Sequence, residues 1–215
     1  TLSDLIDDQK SKSQNFSEVE IWRFFLQLCL GLQHIHSHSI LHRDIKALNI
    51  FIGTNQILKI GDLGVAKLLP TKHTLSTTLV GTPYYLSPEH CNGENYDSRA
   101  DIWALGVVLH ELILLEKPFE AKNQAALALK IIHSEPKKIG DQYSSDLSKI
   151  HQLLLIKDAN QRPSITNIMS NQIIKKQIQK YFVVDKTDKN GNMILNQNMS
   201  LSGNVNMNAT TQSRQ

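Results

Sequence analysis

The chain has 215 residues, with 23 Lys plus Arg against 20 Asp plus Glu, a formal net charge of +3 and a pI of about 8.8. So small a basic excess describes a mixed solvated surface and excludes a nucleic-acid binder built on a strong positive field. Two cysteines, Cys29 and Cys91, are too few for a disulfide framework. No apolar run reaches the roughly 18 residues of a membrane span, and no signal peptide opens the chain, so a soluble, intracellular protein with no membrane partner is expected.

A short amphipathic piece, Thr1-Leu2-Ser3-Asp4-Leu5-Ile6, comes first. Ser17 stands three residues before Glu20, the spacing of a capping box that satisfies free N–H groups at a helix start. Ile21, Trp22, Phe25, Leu28, Cys29, Leu32 and Ile35 then recur at helical spacing, which predicts a helix to about residue 37 with one buried face. His34, His36 and His38 do not read as a metal site, since residues two apart on a helix point to nearly opposite faces and no acidic or Cys ligand accompanies them.

The most informative stretch runs from 42 to 64. It reads His42-Arg43-Asp44-Ile45-Lys46-Ala47-Leu48-Asn49, an apolar run at 50–52, a polar turn at 53–56, a second run at 57–60, and Asp62-Leu63-Gly64. Two short β-rich segments joined by a turn predict a hairpin. Its ends carry Asp44, Lys46, Asn49 and Asp62, a set suited to phosphoryl transfer, which needs positioning and charge neutralisation more than covalent chemistry. The order H-R-D…N…D-x-G resembles the catalytic and metal-binding loops of eukaryotic protein kinases.

That resemblance implies the following roles. Asp44 accepts the proton of a substrate hydroxyl. Lys46 lies against the transferring phosphate and marks the serine/threonine branch. Asn49 and Asp62 offer hard oxygen ligands to Mg²⁺, and ATP is the phosphate donor. His42, Leu63 and Gly64 complete the motifs structurally, Leu63 standing where most kinases have phenylalanine.

Between 65 and 89 the hydroxyl residues Thr71, Thr74, Ser76, Thr77 and Thr78 precede Gly81-Thr82-Pro83-Tyr84-Tyr85-Leu86-Ser87-Pro88-Glu89. Bounded by the two motifs this is an activation segment, and G-T-P-Y-Y-x-S-P-E is similar to the NIMA-related kinases. By the same resemblance Phe51 forms an aromatic floor under adenine, with a buried core phenylalanine as its alternative. Thr82 bridges toward Asp44 and Lys46. Arg43 receives an activating phosphate at Thr78, three positions before Gly81, with Ser76 and Thr77 as neighbouring candidates.

Asp101-Ile102-Trp103-Ala104-Leu105-Gly106 opens a segment, 98–115, that is apolar nearly all round and predicts a central buried helix. A charge there needs a partner; the resemblance makes Asp101 an anchor for the catalytic-loop backbone. Amphipathic helices are expected at 121–133 and 145–156. Asp158 to Ser164 matches the family's D-x-x-x-R-P-S turn, which implies that Arg162 pairs with Glu89. Pro163 suits the first turn of a closing helix to about 182. Seven asparagines lie between Asn190 and Asn208, a composition expected to stay disordered.

The resulting expectation is a mainly α (α+β) fold: the helical C-lobe of a protein kinase at 1–182, with a short hairpin carrying the catalytic and metal loops, and a tail at 183–215. These residues contain no G-x-G-x-x-G loop and no β-rich lobe. Two readings follow. One is part of an ATP-dependent serine/threonine kinase acting on protein substrates, in a cytoplasmic setting with microtubule, centrosome or cilium association implied by the family. The other is a non-catalytic lobe working as an interaction module. The retained Asp44, Lys46, Asn49 and Asp62 favour the first.

Overall fold

The computed structural model describes residues 1–62, 83–94 and 97–182, together with the backbone of 184–187 and 193–195. Helix α2 (Glu18–Ser37) begins as its sequence dictates. Ser17 Oγ accepts from Glu20 N at 3.3 Å while the Glu20 carboxylate accepts from Ser17 N at 2.8 Å, so two otherwise unpaired donors are satisfied. Ile21, Trp22, Phe25, Leu28, Cys29 and Leu32 are all buried. Each side chain of the size of Phe25, fully buried, contributes about 1.5–3 kcal/mol relative to exposure.

Helix α4 (Ser98–Leu114) is buried on all sides from Asp101 to Ile113 and forms the second axis of the lobe. Helices α6 (Ser145–Leu154), α7 (Ile165–Ser170) and α8 (Gln172–Tyr181) close the core against α4 and α2. At Gly106 the approach of α4 to α6 leaves no room for a side chain: a Cβ there would lie 2.8 Å from Leu154 Cβ and from Leu155 Cδ2. Helix α3 (Pro88–Cys91) packs on α5 (Gln124–His133), beside a smaller cluster of Trp103, Phe119, Leu127 and Ile131.

The hairpin lies at the edge of this helical body. Strands β1 (Ile50–Ile52) and β2 (Leu58–Ile60) are antiparallel, with Ile50 opposite Ile60 and Ile52 opposite Leu58. Its turn uses left-handed backbone at Asn55 and Gln56 (φ 58° and 56°). Gln27 on α2 fixes the hairpin, its amide oxygen accepting from Leu58 N at 2.9 Å and its amide nitrogen donating to Gln56 O at 3.3 Å. Helix α1 (Leu2–Ser11) packs against β1 and the 3-10 turn Ala47–Asn49. No helix among the described residues is long and apolar enough to cross a membrane.

Several element boundaries differ from the sequence reading, each for a local reason. The helix expected from 121 starts at Gln124, because the Asn123 side chain accepts from Ala126 N and caps it there. The helix expected to run to 156 ends at Leu154. The single closing helix is two: Asn171 is extended (ψ 137°), and its side chain caps Ile173 N at 2.8 Å. Pro163 precedes the N-cap Ser164 instead of entering the first turn. Strands β3 (Val184–Thr187) and β4 (Met193–Leu195) pair antiparallel within the stretch expected to be disordered. The sequence there holds Val184 and the apolar run Met193-Ile194-Leu195, strand-favouring positions that the asparagine-rich composition obscured.

Helices α4 and α6 also share a buried imidazole pair, with His110 Nδ1 2.9 Å from His151 Nε2. The bond needs one nitrogen protonated and the other bare, and double protonation would set two N–H groups face to face. Burial, then the neighbouring His151 and Lys137, pushes His110 down to about 3; burial holds His151 at about 4. Unfolded, both titrate near 6.5. Their contribution to stability is therefore fully present above about pH 6.5 and is lost as pH falls through that value toward about 4. The thermal unfolding midpoint should drop between pH 7 and pH 5, and the drop should be shallower in His110→Phe/His151→Leu. Parallel pH profiles for the two proteins would remove the pair as its cause.

Candidate active site

A buried carboxylate on an apolar helix must find donors, and Asp101, 3% exposed, finds three. Its Oδ1 accepts from Arg43 N at 2.8 Å, and its Oδ2 accepts from His42 N at 2.9 Å and from His36 Nε2 at 2.8 Å. These bonds hold the turn that carries Arg43 at φ 66°, a left-handed conformation costing a non-glycine residue about 1–3 kcal/mol. His36 differs in role from its neighbours His34 and His38, since it alone of the three turns to Asp101. It continues the buried stripe of Leu28 and Leu32 at four-residue spacing, a signal legible in the sequence.

His42 is fully buried and joins the two loops. Its Nε2 lies 2.9 Å from Gly61 O, and its Nδ1 lies 3.3 Å from Asp44 N. A carbonyl can only accept and an amide N–H only donate, so the network assigns the proton to Nε2. Gly61 N in turn donates to Asn49 O at 2.9 Å, which closes the hairpin base one residue before Asp62. Asp62 is exposed and also left-handed, at φ 64°.

Within that frame Asp44, Lys46 and Asn49 converge. Lys46 Nζ donates to Asp44 Oδ2 at 2.7 Å, and Asn49 Nδ2 donates to the same oxygen at 2.8 Å and to Asp44 O at 3.0 Å. Among the described residues Asp44 Oδ1 and Asn49 Oδ1 have no partner, so both are available acceptors. The carboxylate and ammonium are about one third exposed, 32% and 30%. Phe51 is 50% exposed, so it is not the buried core residue that was its alternative reading, and its ring covers Gly61, where a Cβ would lie 2.4 Å from Phe51 Cε2.

A second polar cluster, not anticipated from the sequence, underlies the turn at 42–49. Tyr85 Oη donates to Glu111 Oε2 at 2.6 Å and accepts from Ala47 N at 3.3 Å. Lys117 donates to Tyr85 Oη at 2.7 Å and to Glu111 Oε1, with its ammonium 4.4 Å from the Tyr85 ring centre. Burial raises the Glu111 carboxyl, with Lys117 opposing, and raises the Tyr85 phenol, which the Glu111 charge raises further. The signal was Glu111 itself, a second carboxylate on the same apolar helix as Asp101.

Arg162 and Glu89 form a buried bidentate pair at 2.8 and 2.9 Å. The remaining guanidinium N–H groups donate to Ile156 O, Arg99 O and Lys157 O, so all five donors are used. Burial pushes the Glu89 carboxyl up, but the hydrogen bonds and charge of Arg162 outweigh it and hold it below the ordinary range. Leu63, Gly64, Ser76, Thr77, Thr78 and Thr82 lie outside the described residues.

The sequence profile of the protein kinase domain matches residues 1–174. The serine/threonine-protein kinase Nek1 of Mus musculus is 42% identical over 170 residues, which are 79% of this chain and 14% of that protein. Nek5 of Homo sapiens is 44% identical over 167 residues, 77% of this chain and 24% of that protein. Nek8 of Danio rerio is 44% identical over 174 residues, 80% and 24% respectively. The chain thus spans less than a quarter of the length of these relatives.

Removing one partner of a buried pair leaves the other charge uncompensated, at a cost of about 3–5 kcal/mol. Arg162→Leu should lower the unfolding free energy by that amount in chemical denaturation, while Glu89→Leu/Arg162→Leu should recover part of the loss. A single-variant loss below about 1 kcal/mol would place this pair with exposed ones.

Proposed function

The chain belongs to the protein kinase family, in its Nek serine/threonine branch, and from that premise we propose that it is the catalytic helical lobe of an ATP-dependent kinase acting on Ser and Thr of protein substrates. The observation that carries this reading is the convergence of Lys46 and Asn49 on one oxygen of Asp44. That arrangement holds the carboxylate in one orientation and leaves Oδ1 to accept a proton from a substrate hydroxyl. Lys46, close to the surface, is set to shift its ammonium toward a transferring phosphate. Phe51 offers an exposed aromatic face to the adenine of ATP.

The donor set also fits Mg²⁺, a hard cation that prefers oxygen. Asn49 turns its amide nitrogen to Asp44, which leaves its oxygen for the metal; Asp62 supplies an exposed carboxylate from the facing end of the hairpin. Mg²⁺, when bound, neutralises phosphate charge. In this reading Thr82 secures the substrate-binding loop, and phosphate on Thr78, or on Ser76 or Thr77, engages Arg43 through charge-assisted bonds that order the segment. The proposal includes a reducing, cytoplasmic setting, which the unpaired Cys29 and Cys91 fit.

In a complete kinase domain carrying this lobe, Asp44→Asn should lower kcat by about 10²–10⁴-fold, the usual contribution of a general base. ATP binding, followed by fluorescence of a nucleotide analogue, should be preserved. A kcat within about twofold of the parent would show that Asp44 is not the base.

Regulation is tested in the same domain by mass spectrometry of the 63–82 segment beside Thr78→Ala and Ser76→Ala. Thr78→Ala should abolish activation while Ser76→Ala retains it; the reverse pattern assigns the switch to Ser76.

A further inference from the structure

We propose that His34 and His38, at the C-terminal end of α2, form a chelating site for a divalent transition-metal ion of the Ni²⁺, Cu²⁺ or Zn²⁺ type. Residues four apart lie on one face about a turn from each other, so these two histidines share a face that His36, between them, does not. His36 turns inward to Asp101, whereas His34 and His38 are exposed with ring centres 4.5 Å apart and planes inclined by 53°. Two imidazoles at i and i+4 on one helix face is a ligand spacing that holds zinc in other proteins.

The hydrogen bonding of His38 supplies a second, independent observation. Its Nδ1 lies 2.8 Å from the backbone oxygen of His34. A carbonyl oxygen cannot donate, so Nδ1 carries the proton and Nε2 keeps its lone pair. Donation of the second ring nitrogen to a backbone carbonyl is how metal-ligating histidines are ordinarily oriented and made more basic. Ser37 Oγ donates to the same carbonyl at 2.8 Å, which further fixes this last turn. The negative end of the helix dipole also favours a cation at this end.

Ligand type decides which ions qualify. Neutral imidazoles suit Ni²⁺, Cu²⁺ and Zn²⁺, whereas Mg²⁺ prefers oxygen, so the ion proposed for Asn49 and Asp62 does not compete here. The remaining coordination positions face solvent and fall to water or a small ligand. An ion bridging the two side chains ties the turn that also carries His36 to Asp101, and so resists fraying of α2 just before the catalytic turn.

Titration calorimetry with NiCl₂ on the 215-residue chain, in excess Mg²⁺, tests the site. One ion should bind per chain and raise the thermal unfolding midpoint. Because the second ligand acts at high effective concentration, losing either should weaken Ni²⁺ binding by about tenfold or more. His34→Gln and His38→Gln remove one ligand each; His133→Gln, an isolated exposed histidine, serves as the control. His34→Gln keeps the Nδ1 bond of His38 to the backbone, so it decides the matter should His38→Gln unfold the helix end. Unchanged affinity in His34→Gln, or loss of binding on His133→Gln or Asp44→Asn, would overturn the proposal.

Discussion

One buried carboxylate holds the working parts of this lobe together. Asp101 sits on the helix that the core surrounds, and its two oxygens take N–H donors from three places: the backbone of His42, the backbone of Arg43 and the imidazole of His36. A carboxylate taken out of water is costly unless its lone pairs are filled, and here the filling groups include the backbone that opens the turn at 42–49. The energetic demand of one residue on α4 thus becomes a positional constraint on Asp44. Arg43 remains in a left-handed conformation because those bonds over-determine it.

The same logic repeats at two further points of the helical body. Glu111, ten residues after Asp101 on α4, gathers Tyr85 and Lys117, and through the Tyr85 hydroxyl it reaches the backbone of Ala47 in the 42–49 turn. Glu89, on α3, is met by a guanidinium whose every donor is occupied. Replacement of such groups by apolar residues often costs nothing in net stability. Their value in this fold is directional: each connects a loop to a helix at one geometry, which hydrophobic contact does not specify.

Charge is distributed in the site to match. Asp44 has one oxygen engaged by Lys46 and Asn49 and the other without a partner among the described residues, while Asn49 turns its amide nitrogen to Asp44. The pairing of Gly61 with Asn49 and the His42 bond to Gly61 fix the residue just before Asp62 against the same turn.

The capping box at Ser17, the seven apolar positions of α2, the apolar surround of α4 and the two short β runs are local patterns whose physics involves neighbours within a few residues, and they placed the main helices and the hairpin. The motif order around Asp44, Asn49 and Asp62 was legible for the same reason. Where a capping side chain competed with propensity, as at Asn123 and Asn171, boundaries moved and one expected helix became two. The remaining features arise from long-range packing. That His36 serves Asp101, that Tyr85 meets Glu111, that His110 faces His151, and that His34 and His38 are left together outside depends on contacts across 65, 26 and 41 residues and on which face of α2 the core covers. A polar side chain at helical spacing carries no sign of its partner in its own sequence neighbourhood; packing supplies the partner, because burial forbids leaving the group unsatisfied.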